Sequence, residues 1–127
     1  MQGPTILIAN GDEILGQDLK GLLLGHGFKV IELPDKTAVI RFFQGNKPDL
    51  VIMVSRRNST TDGLKVAEHI RRRDRQVPII LVTMHSSEER VIAALRAGVN
   101  DYFKTPFSKQ ALVASVNRFL SGFSRHT

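Results

Sequence analysis

Few side chains in this sequence combine a reactive type with a useful spacing. Asp12 and Glu13 are adjacent, and with Asp62 they would form a three-carboxylate set for a hard cation that takes oxygen ligands. A simpler reading puts these acids in first turns of helices, where negative charge meets the positive end of the helix dipole. Asp62, just before Gly63, then reads as the N-cap of a third helix. Ser55 offers a hydroxyl for group transfer, but no His or acid is placed by sequence to activate it. His85 has no second ligand in view, and His26, His69 and His126 lack zinc-ligand spacing. With no Cys there is no thiolate nucleophile, thiolate metal site or disulfide. Arginines form two groups: Arg56 and Arg57 in one loop, and Arg71, Arg72, Arg73 and Arg75 at the end of a helix, where cations suit its dipole.

The elements that must position these groups alternate in texture. Unbroken apolar runs occur at Ile6 to Ala9, Phe28 to Leu33, Leu50 to Val54 and Ile79 to Val82, with a weaker one at Tyr102-Phe103. Without polar alternation, such runs suit strands covered on both faces, as in a parallel sheet. Between them lie stripes at helical spacing, such as Ile14, Leu15, Leu19, Leu22 and Leu23, or Leu112, Val116, Phe119 and Leu120. Ser86 with Glu89 reads as a capping box, Ser108 as an N-cap, and Gly25-His26-Gly27 and Gly45-Asn46 as helix stops.

The expected strands lie near 5–9, 28–33, 50–54, 78–83 and 101–103, and the helices near 12–25, 35–45, 63–73, 87–97 and 108–121. Five strand–helix repeats imply right-handed crossovers and a doubly wound α/β sandwich around one parallel sheet. Ligands in that architecture gather beyond the carboxyl ends of the strands. The loops that matter are therefore 10–13, 55–62, 83–87 and 104–107.

The 127 residues fit a single domain over 1–127, and an apolar content of 42% excludes disorder as the main description. No apolar run approaches the roughly 20 residues that span a bilayer, and the N-terminus lacks a signal-peptide pattern. A soluble, cytoplasmic protein is the expectation. The formal charge of +6 leaves an anionic partner open. Direct nucleic-acid binding is not expected, since aromatics interleaved with basic residues, a helix-turn-helix and a basic tail are all missing.

At the level of motifs, the chain resembles the receiver domain of two-component response regulators, the CheY-like group, over nearly its whole length. The stretches that carry this are Ile6 to Glu13, Pro48 to Met53, Asp62-Gly63-Leu64, Pro78 to Thr83, Ala94 to Gly98, and Asp101-Tyr102-Phe103 running into Pro106-Phe107. The resemblance implies a flavodoxin-like (βα)5 sandwich with strand order 2-1-3-4-5. It also implies phosphoryl transfer to an aspartate after the third strand, with Mg²⁺ held by an acid pair after the first. A Ser or Thr hydroxyl and a Lys contact the phosphoryl group in typical members.

Most of those parts are replaced. Asn10 and Gly11 stand where the family has its acid pair. Counting from Pro48-Asp49-Leu50 puts the acceptor position at Val54, while counting back from Asp62-Gly63 puts it at Ser55; the strand anchor is preferred, since loops accept insertions more readily. Thr105 occupies the usual Lys position, with Lys104 one residue earlier. Thr83 matches the switch hydroxyl and Tyr102 the switch aromatic, and Met84 replaces a small residue.

The resemblance with these changes implies a pseudo-receiver that lacks Mg²⁺ binding and any catalytic residue and is not an enzyme. It would act in signal transduction or transcription regulation, independently of phosphorylation, by binding a protein partner or output domain. Dimerisation through helix 4, strand 5 and helix 5 would involve Arg90, Arg96, Tyr102 and Lys109, with Asp101 nearby for charge pairs. Two alternatives stay open: a phosphoacceptor using a non-standard residue, Ser55, and an anion- or nucleotide-binding pocket at Arg56 and Arg57.

Overall fold

The computed structural model describes residues 3–10, 13–55, 61–84 and 87–124, with the side chains of 10, 13, 61, 62 and 122–124 left aside. Gly11, Asp12, Arg56, Arg57, His85, Ser86 and His126 lie outside the described residues. Strands and helices alternate throughout: β1 (Thr5–Asn10), α1 (Glu13–Gly25), β2 (Lys29–Leu33), α2 (Lys36–Phe42), β3 (Leu50–Val54), α3 (Thr61–Arg73), β4 (Ile79–Thr83), α4 (Glu88–Arg96), β5 (Asp101–Lys104) and α5 (Lys109–Ser124). The strands form one parallel sheet in the order β2-β1-β3-β4-β5, as the resemblance implied.

The unbroken apolar runs have the physical cause expected of them, because each strand is covered twice. Leu7, Val51, Met53, Ile79 and Leu81 pack under α2, α3 and α4 with Val39, Val66, Ala67, Ile70 and Ala94. Their neighbours in sequence, Ile6, Ile8, Leu50, Ile52, Ile80 and Val82, pack under α1 and α5 with Leu19, Leu23, Leu112 and Val116. Every residue of β3 and β4 is buried.

Local chemistry sets the element ends. After α1, Gly27 takes φ +85°, and the backbone N–H of Phe28 donates to Leu23 O at 3.2 Å, closing the helix where the glycines predicted. Ser108 caps α5, its Oγ accepting from the Ala111 N–H at 3.1 Å.

Three boundaries differ from the sequence reading. α4 is capped by Ser87, whose Oγ accepts from the Arg90 N–H at 3.2 Å, one residue after the serine that the Ser-x-x-Glu spacing selects. Ser87 has the extended φ of −139° that a cap requires, and Glu89 falls inside the first turn. α3 begins at Thr61, so Asp62 lies within the helix and is not its cap. α2 stops at Phe42 rather than near 45, because Gln44 and Gly45 bond to carbonyls three residues back and tighten the chain into turns.

Candidate functional site at the carboxyl edge of the sheet

β1, β3, β4 and β5 end side by side. Asn10 pairs with Val54, Val54 with Val82, and Thr83 with Lys104. The ladder runs on past the strands: Ser55 N–H donates to Val82 O at 2.9 Å, and Thr105 N–H donates to Thr83 O at 2.8 Å. Of the positions singled out above, Asn10, Val54, Ser55, Thr83, Lys104 and Thr105 are thus brought to one edge.

A one-residue difference in counting becomes a difference of face. Val54 packs in the α1/α5 core and is 5% exposed. Ser55 is also buried, and its Oγ lies 2.9 Å from Thr83 Oγ1, across two strands that run in register. Strand alternation aims Thr83 to the same side as Leu81, toward α2, α3 and α4. The sequence reading treated Ser55 and Thr83 as separate hydroxyls; their contact depends on a pairing between residues 28 apart.

Around this pair, Met84 and Thr105 are half-buried, Lys104 is exposed, and the Thr105–Pro106 peptide is cis. Tyr102 packs half-buried against the core on the α2–α4 side, and its N–H donates to Asp101 Oδ1 at 2.8 Å. The described side chains here are hydroxyls, apolar groups and one exposed lysine. Mg²⁺ seeks carboxylate oxygens in octahedral geometry, so these residues do not fit it. Among the described residues no three His, Asp or Glu side chains converge as metal ligands.

The residues expected on the α4–β5–α5 face divide into two groups. Arg90, Arg96 and Lys109 are exposed. Asp101 is engaged within the chain: Ser115 Oγ donates to its Oδ2 at 2.5 Å, and Arg118 pairs with the same oxygen at 3.2 Å. Arg118 also lies over the Phe119 ring, 5.0 Å from its centroid.

A second network missed by sequence reasoning closes the opposite edge. Arg71 Nε donates to Gly98 O at 3.0 Å, Nη1 to Asp74 O at 3.1 Å, and Nη2 to Asn100 Oδ1 at 2.7 Å. Asn100 Oδ1 also accepts from the Ile79 N–H at 2.8 Å. Burial lowers the Arg71 pKa from its ordinary value, with the nearby Asp74 charge opposing the shift.

Fold and edge together define a doubly wound sandwich whose candidate site lies at the ends of β1, β3 and β4. Residues 6–117 match the model of the response regulator receiver domain, and the chain belongs to that family. It is 30% identical over 118 residues to the transcriptional regulatory protein RprY of Bacteroides fragilis, covering 91% of this chain and 48% of that protein. It is 31% identical over 118 residues to the transcriptional regulatory protein PrrA of Mycobacterium tuberculosis, covering 92% and 50%. The chain therefore spans about half the length of the curated relatives it matches. Among solved structures, a two-component response regulator from Clostridium difficile superposes with a TM-score of 0.84 at 29% identity, covering 93% of this chain and 96% of that one. The receiver domain of a sensor histidine kinase from Pseudomonas aeruginosa, solved with magnesium coordinated in its active-site cleft, gives 0.82 at 26% identity, covering 94% and 98%.

Proposed function

We propose that this receiver domain signals by protein contact and without aspartyl phosphorylation. The observation that carries the reading is that neither counted acceptor position presents a carboxylate beside Thr83: Ser55 meets it through a hydroxyl, and Val54, the strand-counted position, packs in the α1/α5 core. If the loop count holds instead, the acceptor position is Ser55, buried and hydrogen-bonded to Thr83. Neither residue offers a carboxylate nucleophile. The magnesium described for the Pseudomonas relative has no matching acid at Asn10 or Gly11. The domain binds rather than catalyses, and its partner is a kinase, an output domain or a second copy meeting the α4–β5–α5 face at Arg90, Arg96, Tyr102 and Lys109. A place in the cytoplasm follows from that role.

Intact-mass measurement after treatment with a small phosphodonor and Mg²⁺ tests the first half of the reading. An unchanged mass is expected; a phosphoryl adduct mapped to Ser55 would replace this reading with that of an unconventional acceptor. Amide NMR with beryllofluoride and Mg²⁺ provides the second arm. Saturable shifts at Val54, Ser55 and Thr83 that continue to Tyr102 would overturn it.

A further inference from the structure

The sheet has a second edge, and the net charge of the chain resides there. Pro4, Asp49, Pro78 and Asn100 are held against the starts of the strands: Lys29 N–H donates to Pro4 O, Asp49 N–H to Thr5 O, Val51 N–H to Pro78 O and Asn100 N–H to Ile79 O. The last turns of α2, α3 and α4 end at the same edge and carry Arg41, then Arg71, Arg72 and Arg73, then Arg96. Lys29, Lys47 and Arg75 add charge from strand starts and loops.

Of these eight basic side chains all but Arg71 are exposed. Among the described residues three acids share the edge, and each is engaged locally. Asp49 Oδ2 accepts from the Thr5 N–H at 2.7 Å, Asp74 Oδ1 from the Gln76 and Val77 N–H groups, and Asp101 holds Ser115 and Arg118. With Arg118, which pairs with Asp101, the edge carries nine basic and three acidic residues, an excess of six positive charges, while the remaining nine basic and nine acidic residues cancel in number.

Helix dipoles favour the cations in the last turns. They do not account for Lys29, Lys47 and Arg75, which lie outside helices. Among the described residues Arg72, Arg73 and Arg75 form no ion pair.

We propose that this pole binds the phosphate backbone of duplex nucleic acid without reading sequence. Protein interfaces bury an apolar centre and deplete charge there. Here the exposed large apolar side chains are Leu24 and Leu95, in the last turns of α1 and α4, and among the described residues none lies at the ends of α2 and α3 or in the loops after them. Backbone contact needs only clustered cations and no base-reading aromatic or recognition helix. Of the absences that set nucleic acid aside in the sequence, interleaved aromatics and a helix-turn-helix concern base recognition, and a basic tail is not needed where the fold gathers the cations on one edge. Arg41, Arg72, Arg73, Arg75 and Arg96 supply exposed guanidinium groups, which match phosphate oxygens in pairs.

The test is fluorescence anisotropy of a labelled duplex of random sequence, titrated with the 127-residue chain across a salt series. Each phosphate neutralised contributes about −0.9 to the slope of log K against log salt. The Arg72→Gln, Arg73→Gln, Arg75→Gln variant is expected to flatten the slope by about 2 to 3 and weaken binding at low salt by about tenfold or more. A Lys20→Gln, Lys36→Gln, Lys65→Gln variant, with the same change in net charge, is expected to retain most of the binding. Should the arginine variant fail to fold, Lys29→Gln with Lys47→Gln is expected to flatten the slope by about 1 to 2. Absence of duplex binding at low salt, or equal losses in both triple variants, overturns the proposal. So does tighter binding of poly-glutamate than of the duplex, which would make the partner an acidic polypeptide.

Discussion

Ser55 Oγ and Thr83 Oγ1 lie 2.9 Å apart at the carboxyl edge of the sheet, both side chains buried. A buried hydroxyl that keeps a partner is inexpensive, and one deprived of it costs about 1 to 3 kcal/mol. Thr83→Val, which keeps shape and removes the hydroxyl, is expected to cost about 1 to 2 kcal/mol in urea unfolding. Combining it with Ser55→Ala should cost less than the two single changes together, by about 0.5 to 1.5 kcal/mol. Strict additivity would show that the pair contributes nothing as a pair.

The two candidate acceptor positions respond differently to a carboxylate. Val54→Asp puts a charge among Ile8, Ile52 and Val82 on the α1/α5 side and is expected to destabilise by about 3 kcal/mol or more, or to unfold the chain. Ser55→Asp stands beside the Thr83 hydroxyl at the strand end and is expected to cost less than half as much. Denaturation midpoints for the two variants check the order; a reversed order would show that Val54 faces the site rather than the core.

Gly98 has φ +98°, and a β-carbon there would lie 2.7 Å from Arg71 Cγ. Gly98→Ala is therefore expected to lose about 1 to 3 kcal/mol through left-handed backbone and displacement of Arg71. Arg71→Ala removes three donated hydrogen bonds and is expected to lose about 2 to 4 kcal/mol. In the double variant the collision is gone but the positive φ remains, so its cost should fall short of the sum. Thermal or urea melts of the four proteins give the coupling directly.

Around Asp101 the buried bond should outweigh the exposed ion pair. The Arg118 side chain is 67% exposed and Asp101 28%, so solvent and salt screen their attraction. Arg118→Ala is expected to cost about 0.5 kcal/mol or less, shrinking further in high salt. Ser115, which is buried and donates to the same oxygen, should cost about 1 to 2 kcal/mol when changed to Ala.

Patterns that depend on neighbours in the chain were legible without coordinates. Four unbroken apolar runs announced strands covered on both faces, and Leu7 and Ile8, adjacent yet in opposite cores, show why the runs have no polar alternation. Gly25-His26-Gly27 announced a helix stop because a left-handed residue closes it cheaply, and Gly27 takes that conformation. That Asn10, Gly11, Val54 and Ser55 carry no charge was also legible, since residue type alone determines which side chains can.

What depended on register or layer was not. Whether Ser86 or Ser87 caps α4 turns on backbone angles that two adjacent serines do not distinguish. The contacts of Ser55 with Thr83, Arg71 with Gly98 and Asn100, and Asp101 with Arg118 join residues 28, 27, 29 and 17 apart. Each arises only once parallel strands align and a helix closes over them. The same is true of the basic pole: Lys29, Lys47 and Arg75 are scattered in sequence. They meet because every strand of a parallel sheet starts at one edge and every crossover helix ends there.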